Sequence, residues 1–129
     1  MEQKLQTIEN GQYKNINLKP KFNKVTKKKE GGLDIGNYVI AEKLFAEGKA
    51  FEKTWPGQAK PSTSYSCRAV IDGDEVSFWL NEREHKAYAP LGGVGDKVKI
   101  TRVEDRVVVN PVNGAETPWP ELKFEEVLA

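Results

Sequence analysis

A chain of 129 residues with net charge +1, 38% hydrophobic and 30% charged, is long enough for one core and more polar than a fully packed globule, so part of it is expected outside that core. A single cysteine, Cys67, excludes an intrachain disulfide, and the first thirty residues lack the apolar run of a signal peptide. No stretch approaches the roughly 20 apolar residues that span a bilayer, so a soluble, intracellular (cytoplasmic) protein with no membrane partner is expected.

The near-neutral total hides an uneven distribution. Residues 1–30 carry eight lysines against three glutamates, a net +5, while residues 110–129 carry Lys123 against Glu116, Glu121, Glu125 and Glu126, a net −3. Residues 1–32 have sparse apolar positions without a clear period and are broken by Asn10-Gly11, Pro20 and Gly31-Gly32. They are read as a basic, flexible arm: a solubilising tail, one extra strand around Ile16 to Phe22, or a nucleic-acid-binding arm whose Lys27, Lys28 and Lys29 meet phosphates.

Asn37 to Phe51 can be a long bent strand or one face of a helix. Gly48 serves as a bulge in the first case and a terminator in the second, and the sequence that follows favours the strand. Trp55-Pro56-Gly57 through Pro61-Ser62 is a loop that carries an aromatic between Lys53 and Lys60. From Ser64 to Asn81, two alternating runs flank Asp72-Gly73-Asp74, which predicts a β-hairpin. A two-residue turn puts Cys67, Ala69 and Ile71 on one face with Val76, Phe78 and Leu80. The other face then carries Ser66, Arg68 and Val70 beside Ser77, Trp79 and Asn81.

Asn81 to Tyr88 has the composition of a short helix, with Asn81 as its cap and acidic residues in its first turn. Gly95-Asp96 opens a strand over Lys97 to Val103. Glu104-Asp105 is expected to turn the chain into Arg106 to Asn110, the strand that closes the sheet. Residues 111–129, with three prolines and a net negative charge, are read as an acidic tail with a short helix over Pro120 to Leu128.

Strand, hairpin, short helix and two further strands follow the order of the OB barrel. The segment CRAVIDGDEVSFWLN, followed by a helical spacer and VGDKVKITRV, resembles the RPA-like OB domains of archaea, viruses and phages that bind single-stranded DNA. The resemblance covers about residues 37–110. It implies an all-β, five-stranded OB-type barrel over residues 33–110, with a short helix between strands 3 and 4, flanked by the basic arm (1–32) and the acidic tail (111–129). An acidic C-terminus also occurs in bacterial single-stranded-DNA-binding proteins and would serve a protein partner, although this tail lacks their terminal Asp-Phe-hydrophobic signature.

Such barrels stack bases on exposed aromatics and follow phosphates with cations. On that basis Trp79 and Arg68 are the leading pair, unless Trp79 packs under the arm or a loop. Trp55, flanked by Lys53 and Lys60, either closes over ligand or plugs the barrel mouth. Tyr65, whose parity points it coreward, ranks below both tryptophans, and Lys97, Lys99 and Arg102 are either phosphate contacts or merely solvated.

Catalysis has little in the sequence to rest on, so no enzyme, cofactor or metal is expected. His85 is the single histidine and lacks a cysteine at useful spacing; Gly92-Gly93-Val94-Gly95 has no following Lys-Ser or Lys-Thr. The competing classes are an OB-type protein-interaction or RNA-binding module and a small structural protein.

Overall fold

Asp72 and Gly73 both take positive φ, 53° and 80°, which makes a two-residue turn whose twist suits the strands on either side. Those strands are β7 (Ser62–Ile71) and β8 (Asp74–Asn81), antiparallel, with Ile71 opposite Asp74 and Cys67 opposite Phe78. Cys67, Ala69, Ile71, Val76, Phe78 and Leu80 are buried and Trp79 is exposed, as the alternation predicts. The computed structural model of the protein describes residues 1–5, 7–10, 13–23, 25–54, 56, 57 and 61–127.

The preceding segment is extended, not helical. β5 (Tyr38–Lys43) and β6 (Lys49–Lys53) are two pieces of strand on the same side of β7, β6 against Ser62 to Ser66 and β5 against Ala69 and Val70. Between them Gly48 lies so close to β7 that a Cβ would sit 2.7 Å from Cys67 Sγ. A larger residue would push the break away from the sheet.

After β8 the chain enters α1 (Glu82–Tyr88) through the cap expected from sequence. The Glu84 N–H donates to Asn81 Oδ1 at 2.8 Å, and the Asn81 N–H donates to Glu84 Oε1 at 2.9 Å, a reciprocal capping box. β9 follows as one strand, Lys97–Val109, paired with β5 and then with β10 (Glu116–Val127).

Two expectations fail here. Glu104-Asp105 does not turn the chain; the reversal lies at Asn110 to Ala115, where the Asn110 N–H donates to Ala115 O at 2.8 Å. The tail expected to be irregular or helical is instead a strand, with Pro118 opposite Val107 and Pro120 at a register shift between Trp119 and Glu121. Proline is tolerated because β10 ends the sheet path and needs no amide donor on its outer side.

The basic arm is also more structured than its composition suggests. It contains β1 (Ile8–Asn10), β2 (Tyr13–Asn15), β3 (Lys21–Asn23) and β4 (Lys28–Glu30), and β3 with β4 forms a separate two-stranded sheet. β2 lies parallel to β8, Lys14 opposite Val76, and the chain then sends Ile16 and Leu18 into the core, each 3% exposed. The Leu33 N–H donates to Leu18 O at 2.9 Å, so residues 18 and 33 meet at the foot of the β3–β4 hairpin.

The main sheet runs β1-β2-β8-β7-β5-β9-β10, with β6 also on β7. The fold is mostly β with one short helix among the described residues. It is not the closed five-stranded barrel expected from sequence: β10 and β1 end the path without pairing to each other. At Val76 and Ser77, β2 takes the edge of β8 that a closing strand would need.

A lysine sits inside the core. Lys43 has core parity with Val39 and Ala41 on β5 and is 1% exposed. Its Nζ donates to the carbonyls of Tyr88 at 3.1 Å and Ala89 at 3.2 Å, with those of Leu91 and Gly92 at 3.3 and 3.4 Å, so an ammonium closes the C-terminal end of α1. Burial lowers its pKa, an effect opposed by Cys67 and Asp96. Lys43→Met keeps the stem and strips the carbonyls of their donor. It is expected to cost about 2–3 kcal/mol in urea denaturation, the scale of a hydrogen bond to a charged group. An unchanged midpoint would mean that water replaces the ammonium.

Candidate nucleic-acid interface

On the outer side of the sheet, residues opposite each other in register form rows across β6, β7 and β8. One row is Lys49, Ser66, Trp79 and the next is Phe51, Ser64, Asn81. Phe51 and Trp79 therefore share a surface, with ring centroids 5.4 Å apart and planes at 64°, an edge-to-face contact. Lys49 Nζ lies 5.4 Å from the centre of the Phe51 ring. Arg68, opposite Ser77 on the same face, approaches Glu75 at 3.9 Å.

The aromatic faces are open. Trp79 is 54%, Phe51 45% and Phe45 55% exposed. Phe45, Gly48, Lys49, Phe51, Ser66 and Arg68 line a shallow groove beside Trp79. Rings and cations on one surface are what stacking of bases with phosphate contact requires.

Comparison with protein-family models, with curated proteins and with solved structures finds no match to this chain. The site must therefore be judged on its own chemistry.

Of the residues singled out from sequence, Trp79 and Arg68 share this face, and Lys53 is exposed at the end of β6 opposite Ser62. Trp55 and Lys60 lie outside the described residues. Tyr65 is elsewhere: half-buried on the core side of β7, it stacks on His85 with centroids 3.8 Å apart and planes at 5°. Lys97 and Lys99 are on the outer side of β9, separated from Arg68 by β5, where Glu42 stands opposite both Lys97 and Val70. Lys99 Nζ lies 4.4 Å over the Tyr38 ring.

Arg102 is not available as a phosphate contact. It shares core parity with Val98 and Ile100, is 4% exposed, and its guanidinium is engaged by Val103 O and Asp105 Oδ1. Lys27 and Lys28 are exposed on the β3–β4 hairpin, and Lys29 lies in β4. Other arm lysines are engaged within the chain, Lys14 with Asp74 at 3.4 Å and Lys19 with Glu84 at 3.0 Å.

Sequence reasoning missed Phe45, Lys49 and Phe51, the part of the face contributed by the broken strand. His85, set aside from sequence for want of a partner cysteine, is only 9% exposed, and its Nε2 accepts the Gly48 N–H at 3.0 Å. Burial lowers its pKa; Glu47 opposes that shift and Lys43 adds to it.

Cys67 is a core residue, 1% exposed, with burial pushing its thiol up to about 12. Among the described residues no cluster of His, Cys, Asp or Glu could hold a metal ion, and no helix is long and apolar enough to cross a membrane.

Proposed function

We propose that this chain is an OB-type module that binds single-stranded DNA, without strong sequence preference, through the outer face of β6, β7 and β8. The observation that carries the reading is the exposed Phe51–Trp79 pair with Lys49 and Arg68 on the same surface. Bases stack on the two rings, and the cations, with Lys53 at the edge, meet the phosphates. Stacking is tolerant of sequence because every base presents a π-face, so a role in replication, recombination or repair suits it.

The order of elements supports the OB part of the reading. β5 and β6 stand for one broken first strand; β7, β8, α1, β9 and β10 follow, with β9 antiparallel to β5. In this reading the fifth strand is β10, not residues 106–110.

Trp79→Ala is expected to weaken binding of a labelled oligothymidylate by about 1–3 kcal/mol, the worth of one stacked base, with little change in melting temperature. With three cations on the face, the slope of log affinity against log salt should be about −2, from roughly −0.7 per phosphate neutralised. Parallel titrations with RNA and duplex DNA define the preference. Unaltered affinity in Trp79→Ala would remove the ring from the site.

A second reading has its own observation. The far part of the β9–β10 ribbon exposes Val107, Val108, Val109, Val112 and Trp119 and carries Glu104, Asp105 and Glu116. That chemistry suits a protein partner better than a phosphate backbone, and a flat salt response in the oligonucleotide titration would favour it.

A further inference from the structure

Gly48 is the joint between the two halves of the broken strand, and it is held from three sides. Cys67 Sγ and Tyr65 Cβ lie within 2.7 and 3.1 Å of where its Cβ would be, and its N–H is taken by His85 Nε2 at 3.0 Å. The next residues, Lys49 and Phe51, belong to the aromatic and cationic face. His85 reaches this joint from α1, beneath the sheet, with its ring flat against Tyr65, whose register partner is Ala50 of β6. The imidazole and the exposed rings thus lie on opposite sides of the same stretch of β6 and β7.

Resting on the single-strand reading above, we propose that His85 is a positioning residue of the stacking face: its unprotonated Nε2 holds the Gly48 N–H, and through it the start of β6, so that single-strand affinity falls when the imidazole takes a proton. A protonated Nε2 is a donor. It would then face another donor across the same 3.0 Å, and the joint loses its anchor.

The groups facing His85 fit this role. From the 44–48 connection comes Glu47, from β5 the Lys43 ammonium, and from β7 the Tyr65 ring. On α1 itself, Glu84 is tied to Lys19 at 3.0 Å and Glu82 to Lys86 at 3.7 Å. Burial, the largest influence, disfavours the charged imidazole. The folded protein thus protonates this ring at lower pH than a free histidine, with pKa about 6.5, so the response is weighted toward the acid end of the range.

The sign of the effect separates this role from others. A histidine placed to touch phosphate would strengthen binding as it gains charge, whereas His85 is expected to weaken it. The chain has a single histidine, and exposed carboxylates, exposed lysines and phosphodiesters keep their charge between about pH 5.5 and 7.5, so a response in that window that His85→Gln abolishes belongs to His85.

The experiment is a titration of oligothymidylate into the full chain from pH 7.5 to 5.5, well below the melting temperature at each pH, beside the amide resonance of Gly48 in the free protein. The expected result is an affinity about 3–10-fold lower at the acid end, the consequence of losing one hydrogen bond, with the Gly48 resonance following the imidazole titration. His85→Gln, whose amide oxygen can accept the same N–H without titrating, should bind as the wild type does at pH 7.5 and show a flat profile. Constant or rising affinity in the folded wild type overturns the proposal, as does a fall that persists in His85→Gln. If that variant does not fold, the wild-type profile and the Gly48 resonance decide. Absence of oligonucleotide binding at every pH would instead defeat the single-strand reading, and the Gly48 resonance would still report whether His85 governs the joint.

Discussion

Phe78→Ala is expected to lower folding stability by about 3–5 kcal/mol, the usual result of emptying a buried aromatic position. The ring is 1% exposed, stands opposite Cys67 in the hairpin register, and meets Tyr88 edge-on with centroids 5.8 Å apart. Its loss would open a void between the sheet and α1, where Tyr88 is itself fully buried. Against a total stability of about 5–15 kcal/mol for an ordinary domain, that is a large fraction. The measurement is equilibrium denaturation in urea, with Trp79→Ala run beside it. The neighbouring position should barely move the midpoint, because the indole is 54% exposed and touches Phe51, which is also half in water. Reversed results would mean a register off by one residue, which would carry every side chain of the hairpin to the opposite face.

The hairpin was legible because two independent signals agree there. A turn that tolerates positive φ at Asp72 and Gly73 fixes the register, and the alternation of Cys67, Ala69 and Ile71 with polar residues fixes the face. The helix cap was legible for a similar reason, since Asn81 and Glu84 have the spacing of reciprocal hydrogen bonds. Where a single signal had to carry the reading, it failed. The prolines of 111–129 argue against a central strand but leave an edge strand open, and β10 is at the edge. The alternation of β9 already set Arg102 beside Val98 and Ile100; its charge led to the outer assignment, but Asp105 supplies the partner that lets it be buried.

The aromatic face was half visible for a geometric reason. Parity within β8 locates Trp79, but the break at Gly48 resets the count between β5 and β6, so Phe51 cannot be placed by counting from Val39. Lys43 and His85 were hidden because their partners are main-chain groups of distant segments, the carbonyls that end α1 and the amide of Gly48, which leave no mark in local sequence. The core role of Ile16 and Leu18 was invisible for another reason: two apolar residues in a lysine-rich segment are too few to show a period.

Those two residues set the last expectation. Deleting residues 1–30, which the composition alone treats as removal of a dispensable arm, takes Ile16 and Leu18 out of the core together with the β2–β8 pairing. Burial of a branched aliphatic side chain contributes about 1.5–3 kcal/mol, so their joint loss is expected to cost about 3–6 kcal/mol, enough to displace or abolish a cooperative melting transition. A second variant separates this core effect from the charge. Residues 18 and 33 are already joined by a backbone hydrogen bond, so excising residues 21–30 leaves Lys19-Pro20-Gly31-Gly32 to bridge two adjacent points, within the ordinary length of a hairpin loop. That variant loses five lysines and one glutamate, a net +4, but keeps Ile16 and Leu18. Its thermal transition should stay close to that of the full chain, while its affinity for single strands falls if Lys27, Lys28 and Lys29 meet phosphates. Circular-dichroism melts of the three proteins decide the point. Equal melting of the full chain and the 1–30 deletion would mean that the core closes without Ile16 and Leu18, whereas loss of the transition in the excision variant would make the β3–β4 hairpin itself part of what holds the sheet together.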